Sequence, residues 1–397
     1  MLTREDVRGK IRKAIGDIRE EIVGLSLDLH ARPETAFEEH YASACLKSWL
    51  EREGFELESP VAGMETAFVG KTGNGGRPAV AFLMEYDALP EIGHACGHNL
   101  IATGGLAAAT ALRRALPEPD GTILAIGTPG EEGSGGKIFE LEAGVFDEVD
   151  AALMFHPGVR TWPWRHATAT AHLSVKFHGE AAHAAGSPQQ GRNALAAMIQ
   201  FFVAVDALRQ HTPDTSRLHG VITHGGAAAN IVPDYTEASY LVRALTTEAT
   251  LELVERVRAC AEGAAKATGT TTEVEHAGPL YAERKNNRAI ASRVADYLRE
   301  TGETVETPVL KGGIGSSDIG NVSLVLPAIH PYIKIAAAGT PGHSVAFREA
   351  AASPEAQEAM LRMAEALALT GADLLLDPGF LEKVWDEFHT SGPDLPE

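Results

Sequence analysis

Apolar residues recur every three or four positions across residues 4–29 with charged residues between them, which predicts an amphipathic helix. Pro33 marks a turn. Tyr41, Cys45, Leu46, Trp49 and Leu50 then share one face of a second helix. Beyond Gly54 the period changes. TAFVGKTG (66–73) and PAVAFLM (78–84) read as strands, and AVAFLM has no polar residue, as a strand buried on both faces requires. An alanine-rich helix over 100–116 stops at Pro117. GTILAIG (121–127) is another buried strand, running into the loop TPGEEGSGG, and AALMF (151–155) is a third. Strands alternating with helices predict an α/β fold with a mostly parallel sheet flanked by helices.

From about Arg165 the pattern becomes half-buried. ATAHLSVKFHG (169–179) alternates, and it is followed by a helical stretch (192–211), two further strands (217–226 and 234–245), a second helix (247–268) and a last strand (269–278). That order, βαββαβ, is a self-contained two-layer α+β module of about 110 residues, a reasonable size for a small domain. The first pattern then resumes with a helix over 286–301, strands around SLVLPAI (323–329) and YIKIAAAG (332–339), and one final helix from Ser353. The expected layout is a catalytic domain in two pieces, 1–167 and 280–397, interrupted by an inserted domain over 168–279.

With 397 residues, 44% hydrophobic and 22% charged, the chain has the balance of a folded protein long enough for two domains. A formal net charge of -20 argues against nucleic acid and anionic membrane as partners, because both bind clustered Lys and Arg. It leaves room for an anionic small molecule at a metal ion, whose local charge outweighs the global field. The first residues lack the apolar core of a secretory signal, and no apolar run is long enough to span a bilayer. Cys45, Cys96 and Cys260 are too scattered for a disulfide framework, so a cytoplasmic protein is expected.

Candidate chemistry follows the strands. Asp87 to His98 come after AVAFLM, Glu131 and Glu132 after ILAIG, His156 after AALMF, and His343 after YIKIAAAG. Open α/β sheets bind ligands at that edge. Within His94-Ala-Cys96-Gly-His98, a thiolate and an imidazole two positions apart on a glycine-containing loop suit a borderline metal such as zinc. Alone, the same five residues also suit a turn with structural histidines and a buried thiol. Adjacent glutamates usually form a solvated loop, but after a buried strand they can divide labour, one on a metal and one moving protons. Glu85 and Asp87 are placed to orient ligands. His183, in GEAAHAAGSP, stands apart from the other histidines because it follows a glycine-marked strand end.

Eight segments occur in order: LHARPETAFEEH, EYDALPEIGHACGHN, GTPGEEG, FHPG, GEAAHAAGSPQQGRNALAA, GGAAANIVPDYTEASYLVRA, GGIGSSDIGNVS and GTPGHS. On these the sequence resembles the aminoacylase and carboxypeptidase-G family of dinuclear metallohydrolases. Its branch holds p-aminobenzoyl-glutamate hydrolase, β-alanyl-lysine dipeptidase-like proteins and indole-acetyl-amino-acid hydrolases. The resemblance implies an enzyme cleaving the amide bond of a small N-acyl or N-aroyl amino acid or dipeptide. It implies two divalent ions per subunit, manganese or zinc, with Cys96, His98, Glu132, His156 and His343 as ligands. Glu131 is then the general base, and Asp87, placed to orient the ligands, is counted with it among the catalytic residues. His183 reaches over the substrate, within one chain or across a homodimer formed by the inserted lid domain. Asn230 and Arg243 face substrate, and Gly313 and Ser317 lie in a substrate-binding loop. One departure stands out. Many members open the site with His-x-Asp where this chain has Glu85 and Asp87, and the resemblance implies that Cys96 takes over that coordination. Three alternatives stay open: hydrolytic deamination of an aryl amine on the same centre, a metal-free hydrolase with Cys96 as nucleophile, and a non-catalytic ligand-binding relative.

Overall fold

The computed structural model describes residues 3–309 and 315–393. The chain divides into two compact units. One takes the residues up to His166, then 284–309 and 318–393. The other takes Ala167–Glu283 together with residues 315–317.

In the first unit, β1 (Glu56–Glu58), β2 (Phe68–Gly73), β3 (Ala79–Met84), β4 (Thr122–Gly127), β5 (Ala151–Leu153) and β11 (Ala328–Ile329) form a sheet in the order β1-β2-β4-β3-β5-β11. β4, β3, β5 and β11 are parallel, and β1 and β2 extend one side antiparallel. The all-apolar sequence of β3 explains its central place. Val80, Phe82 and Met84 join the core under one face, while Ala79, Ala81 and Leu83 join the core under the other. Fully burying side chains such as Phe82 and Leu83 contributes roughly 1.5–3 kcal/mol each. A separate two-stranded sheet pairs β6 (His156–Gly158) with β12 (Tyr332–Lys334).

Helices cover both faces. α1 (Arg4–Ala31) starts at Thr3, whose hydroxyl accepts from the Asp6 N–H while the Asp6 carboxylate accepts from the Thr3 N–H, and it buries Ile11, Ile15, Ile18 and Ile22. α2 (His40–Arg52), α3 (His98–Ala115) and α7 (Arg288–Glu300) pack into the same core with α10 (Pro354–Leu376). α4 (Gly136–Glu142) and α8 (Ile319–Ser323) are short, as is α9 (Val345–Ala351).

Three expectations for the C-terminal part need correction. The SLVLPAI strand is only Ala328–Ile329, because its first residue still belongs to α8. The YIKIAAAG strand ends at Lys334. The final helix is not single: Asp377 caps a new helix, α11 (Pro378–Thr390), with Pro378 in its first turn, where proline is tolerated but cannot continue α10.

In the second unit, β7 (Ala169–His178), α5 (Ala194–Arg209), β8 (Arg217–His224), β9 (Tyr235–Ala244), α6 (Thr247–Thr268) and β10 (Thr271–His276) give the order βαββαβ. The strands pair antiparallel as β10-β7-β9-β8. Alternation sends Leu173, Val175 and Phe177 of β7 and Ala238, Tyr240 and Val242 of β9 into one core with Phe201, Val205, Val254 and Val257 of the two helices.

Candidate metal centre

Because β3 and β4 run parallel, the loops leaving them open at one edge of the sheet. β3 hands over Glu85 and Asp87, both fully buried. The chain then turns at Gly97, which has φ 81°. A Cβ there would stand 2.6 Å from Pro157 Cγ, so glycine both permits the backbone and makes the room. Cys96 and His98 flank that turn at the start of α3. β4 leads to Glu131 and Glu132. His156 comes shortly after β5, as expected, and itself opens β6. His343 departs from expectation. It lies well past β12 on the turn before α9, at φ 55°, tied by its N–H to the Ala95 carbonyl at 3.1 Å.

The side chains converge. His98 Nδ1 lies 2.9 Å from Asp87 Oδ1, and the other Asp87 oxygen accepts the Glu132 N–H at 2.8 Å. With Nδ1 donating to Asp87, Nε2 faces Glu85 Oε2 at 3.6 Å, Glu132 Oε1 at 3.9 Å and Glu131 Oε2 at 4.0 Å. His156 repeats the device: Nδ1 is 2.6 Å from the Pro157 carbonyl and Nε2 is 3.3 Å from Cys96 Sγ. His343 Nε2 is 3.4 Å from Glu132 Oε1. Three overlapping sets, Cys96/His98/His156, Cys96/Glu132/His343 and His98/Glu131/Glu132, each keep their donor atoms within 4.8 Å of one another. Cys96 belongs to two of them.

These residues fit divalent ions. Buried His98 Nε2, Glu132 Oε1 and Glu85 Oε2 have no hydrogen-bond partner. Such an orphan costs about 1–3 kcal/mol. Two nitrogen, oxygen or sulfur donors on one tetrahedral ion stand roughly 3.3–3.8 Å apart, wider than the roughly 2.7–3.2 Å of an ordinary hydrogen bond. The observed nitrogen-to-oxygen contacts of 3.4–4.0 Å fall near the ion-sharing range, while the 3.3 Å between His156 and Cys96 also suits a hydrogen bond to sulfur. The proton affinities agree. Burial opposes charge on His98, yet Asp87 and Cys96 hold it well above the usual imidazole range. Burial, then Glu85 and Glu132, push Glu131 well above an ordinary carboxyl, and burial with Glu132 does the same to the Cys96 thiol. Each direction is one that a cation would relieve. His156 is pushed down to about 3 by burial and His98, so it stays neutral with a lone pair to offer. His94 sits outside all the donor sets. It is buried, stacks on His30 with ring centroids 6.2 Å apart, and is likewise held neutral, at about 3, by burial.

Sequence reasoning missed four residues of this edge. Lys137, fully buried, donates to Glu85 at 2.5 Å and to Asp318 at 2.8 Å. Burial works against its charge, and Asp318 and Glu85 more than restore it. Burial lifts Asp318 itself to about 6. Glu39 accepts from the Gly130 N–H at 2.9 Å and the Thr66 hydroxyl at 3.0 Å, bracing the loop ahead of Glu131; burial and Asp87 raise it to about 7. His330 is fully buried with neither ring nitrogen bonded, its ring 5.5 Å from that of His156. A signal existed for His330: it and His156 are both His-Pro pairs at the end of an apolar run.

His183, Asn230, Arg243 and Ser317 belong to the second unit. His183 is exposed, and its Nδ1 accepts from the Gly186 N–H at 3.0 Å. Asn230 is its neighbour, for its carbonyl accepts the Ala184 N–H at 3.0 Å. Arg243, half-buried on β9, donates to the Ser316 hydroxyl at 2.9 Å, and Ser317 is buried with its hydroxyl unbonded. Gly313 lies outside the described residues.

The M20 peptidase dimerisation domain matches residues 167–269. Xaa-Arg dipeptidase of Mus musculus is 38% identical, over 97% of this chain and 92% of its own. One of the p-aminobenzoyl-glutamate hydrolase polypeptides of Escherichia coli (strain K12) is 31% identical, over 95% of this chain and 94% of its own. The chain belongs to the M20 peptidase family. Its fold agrees with the solved structure of a dinuclear metal-binding M20 peptidase from Bacillus subtilis, at TM-score 0.65 and 22% identity, covering 89% of this chain and 98% of that one. M20 membership bears out the resemblance carried by the eight segments and makes the chain a hydrolase of the peptidase and amidohydrolase class. Among the described residues, no helix is long and apolar enough to cross a membrane.

Proposed function

We propose that this M20 protein hydrolyses the amide bond of a small N-acyl or N-aroyl amino acid or dipeptide, with two divalent ions, manganese or zinc, held by Cys96, His98, Glu132, His156 and His343. The observation that carries the reading is the convergence of unpartnered buried donor atoms in three overlapping sets that share Cys96, His98 and Glu132 pairwise. When bound, such ions supply Lewis acidity and a water acidic enough to attack near neutral pH.

The chain's own residues do the rest. Glu131, whose surroundings raise its proton affinity, takes the proton of the attacking water and delivers it to the leaving amine. Asp87 holds His98 in the tautomer that leaves Nε2 unprotonated. His183 donates to the developing oxyanion, a role whose loss typically lowers rate by roughly 100- to 1000-fold. Asn230, Arg243, Gly313 and Ser317 bind the remainder of the substrate, the Arg243 cation suiting a carboxylate. The relatives' names, a dipeptidase and an aroyl-glutamate hydrolase, support an amide of an amino acid as the substrate class.

The domain over 168–279 is assigned as a lid through which two chains form a homodimer. The match to a dimerisation domain supports this. So do the edge strand β8, with Val221 and Ile222 exposed, and α5, which turns Ile199 and Val203 outward. Three free cysteines, one of them in the proposed centre, favour a reducing cytoplasm. The test is Glu131→Gln against a panel of N-acyl amino acids and dipeptides. Turnover should vanish while elemental analysis still finds bound metal. Wild-type-like turnover removes Glu131 as the base, and a wild type that binds no metal removes the metal reading.

A further inference from the structure

Glu85, Glu131 and Asp318 bring carboxylate oxygens within 4.8 Å of one another, and all three residues are buried. By donor type alone this is an oxygen-rich site for a hard cation. It differs from the sets around Cys96 in one respect: a cation is already there. The Lys137 ammonium donates to Glu85 Oε1 at 2.5 Å and Asp318 Oδ1 at 2.8 Å, and the Lys137 backbone N–H reaches Asp318 Oδ2 at 3.0 Å. The backbone is built to put it there. A Cβ on Gly136 would lie 1.8 Å from the Pro129 carbonyl oxygen, so the chain runs backbone against backbone immediately before the lysine. Glu85 links this cluster to the candidate centre, its Oε2 unbonded and 3.6 Å from His98 Nε2.

Buried carboxylates at this spacing cannot all carry charge without a counter-cation, since each costs several kcal/mol to desolvate, by rough estimate. We propose that Lys137 is the resident cation of the Glu85–Glu131–Asp318 cluster, holding the place a further divalent ion would take and so confining metal to the donor sets around Cys96. The proposal rests on the reading of that neighbouring centre as metal-binding. A tethered ammonium suits the role because it neutralises charge without being lost to chelation, and it fixes Glu85 by one oxygen while the other faces His98.

Lys137→Met keeps the length of the side chain and removes its charge; Lys137→Met/Asp318→Asn removes one charge of each sign. Both are compared with the wild type after stripping with chelator, reloading with Mn²⁺ and desalting, with metal counted by elemental analysis and thermal unfolding followed across a Mn²⁺ titration. Lys137→Met should retain one ion per subunit more than the wild type, with a larger rise in Tm on adding Mn²⁺, and the double variant should return to the wild-type count. A Lys137→Met chain that is unfolded in chelator and recovered by Mn²⁺ supports the same conclusion. An equal or lower ion count, or a Lys137→Met chain that stays unfolded in Mn²⁺, overturns it. The wild-type count alone tests the metal reading, while the difference between variant and wild type tests Lys137.

Discussion

Asp87→Asn preserves the size of a buried side chain and removes its charge. In the wild type one carboxylate oxygen is 2.9 Å from His98 Nδ1 and the other accepts the Glu132 N–H at 2.8 Å. Burial disfavours the ionised form, but His98 overcomes it and holds Asp87 below the usual carboxyl range, so the charge is present at neutral pH. An asparagine carbonyl can still accept from His98. Its amide NH₂ then meets the Glu132 N–H donor to donor, leaving a buried group unbonded at about 1–3 kcal/mol. Independently, carboxylates behind ligating histidines are worth about 10- to 100-fold in metal affinity, which is about 1.4–2.7 kcal/mol. The first cost falls on the fold with or without metal, while the second predicts a loss of roughly 30-fold in metal affinity. Competitive titration of Zn²⁺ or Mn²⁺ against a chromogenic chelator reads the affinity, and circular dichroism checks that the variant is folded. A variant affinity within twofold of the wild type would refute the idea that Asp87 tensions His98 toward a metal.

Two further perturbations probe neighbouring groups. Cys96→Ala removes the only thiol of the donor sets and a member of two of them, so elemental analysis should find fewer ions per subunit, and an unchanged count would rule out the thiolate as a ligand. Glu39 titrates near 7 in the fold against 4.5 for an ordinary glutamate, so between those values the unfolded chain has released a proton that the folded chain keeps. Stability from this group is therefore full below 4.5 and lost as pH rises to 7, about 1.4 kcal/mol per pH unit and roughly 3 kcal/mol in all. In urea unfolding across that window Glu39→Gln should lack this slope, and parallel pH profiles for the two proteins would contradict it.

Much of the fold was written in local periodicity. AVAFLM could only be a strand covered on both sides, and the alternation of ATAHLSVKFH faithfully marks the inward side of β7. The edge where Cys96, His98, Glu131 and Glu132 meet was also legible, because Cys96 and His98 end the loop that leaves the apolar strand β3, Glu131 and Glu132 follow β4 closely, and parallel strands end together. His343 was harder. No strand delivers it, and its placement depends on a left-handed backbone residue and a hydrogen bond to Ala95, neither of which leaves a periodic trace. Lys137 and Asp318 were invisible for a different reason: they are 181 positions apart, and nothing local announces that a lysine after a glycine-rich loop will be buried rather than solvated.

Glu85 shows how the legible and the hidden parts depend on each other. From the chain alone it is a departure from the His-x-Asp of many related enzymes, explained by letting Cys96 supply the missing ligand. That accounts for the absent imidazole and says nothing about why a glutamate is tolerated in its place. A carboxylate there is fully buried and stands 3.6 Å from a histidine whose Nε2 also faces two more glutamates. Isolated, it would be several kcal/mol unfavourable, by the usual magnitude for a buried charge. Lys137 removes that penalty by pairing with one oxygen, and Asp318 balances the second half of the lysine's charge-assisted bonding. Position 85 and position 137 are thus one physical choice made at two places in the chain: a histidine needs no buried cation behind it, whereas a glutamate does. The same logic predicts that Glu85→His alone would leave Lys137 with a single carboxylate partner and should destabilise the fold, while Glu85→His combined with Lys137→Met should recover much of that loss in thermal unfolding. Additive losses in the double variant would show that the two positions are not coupled.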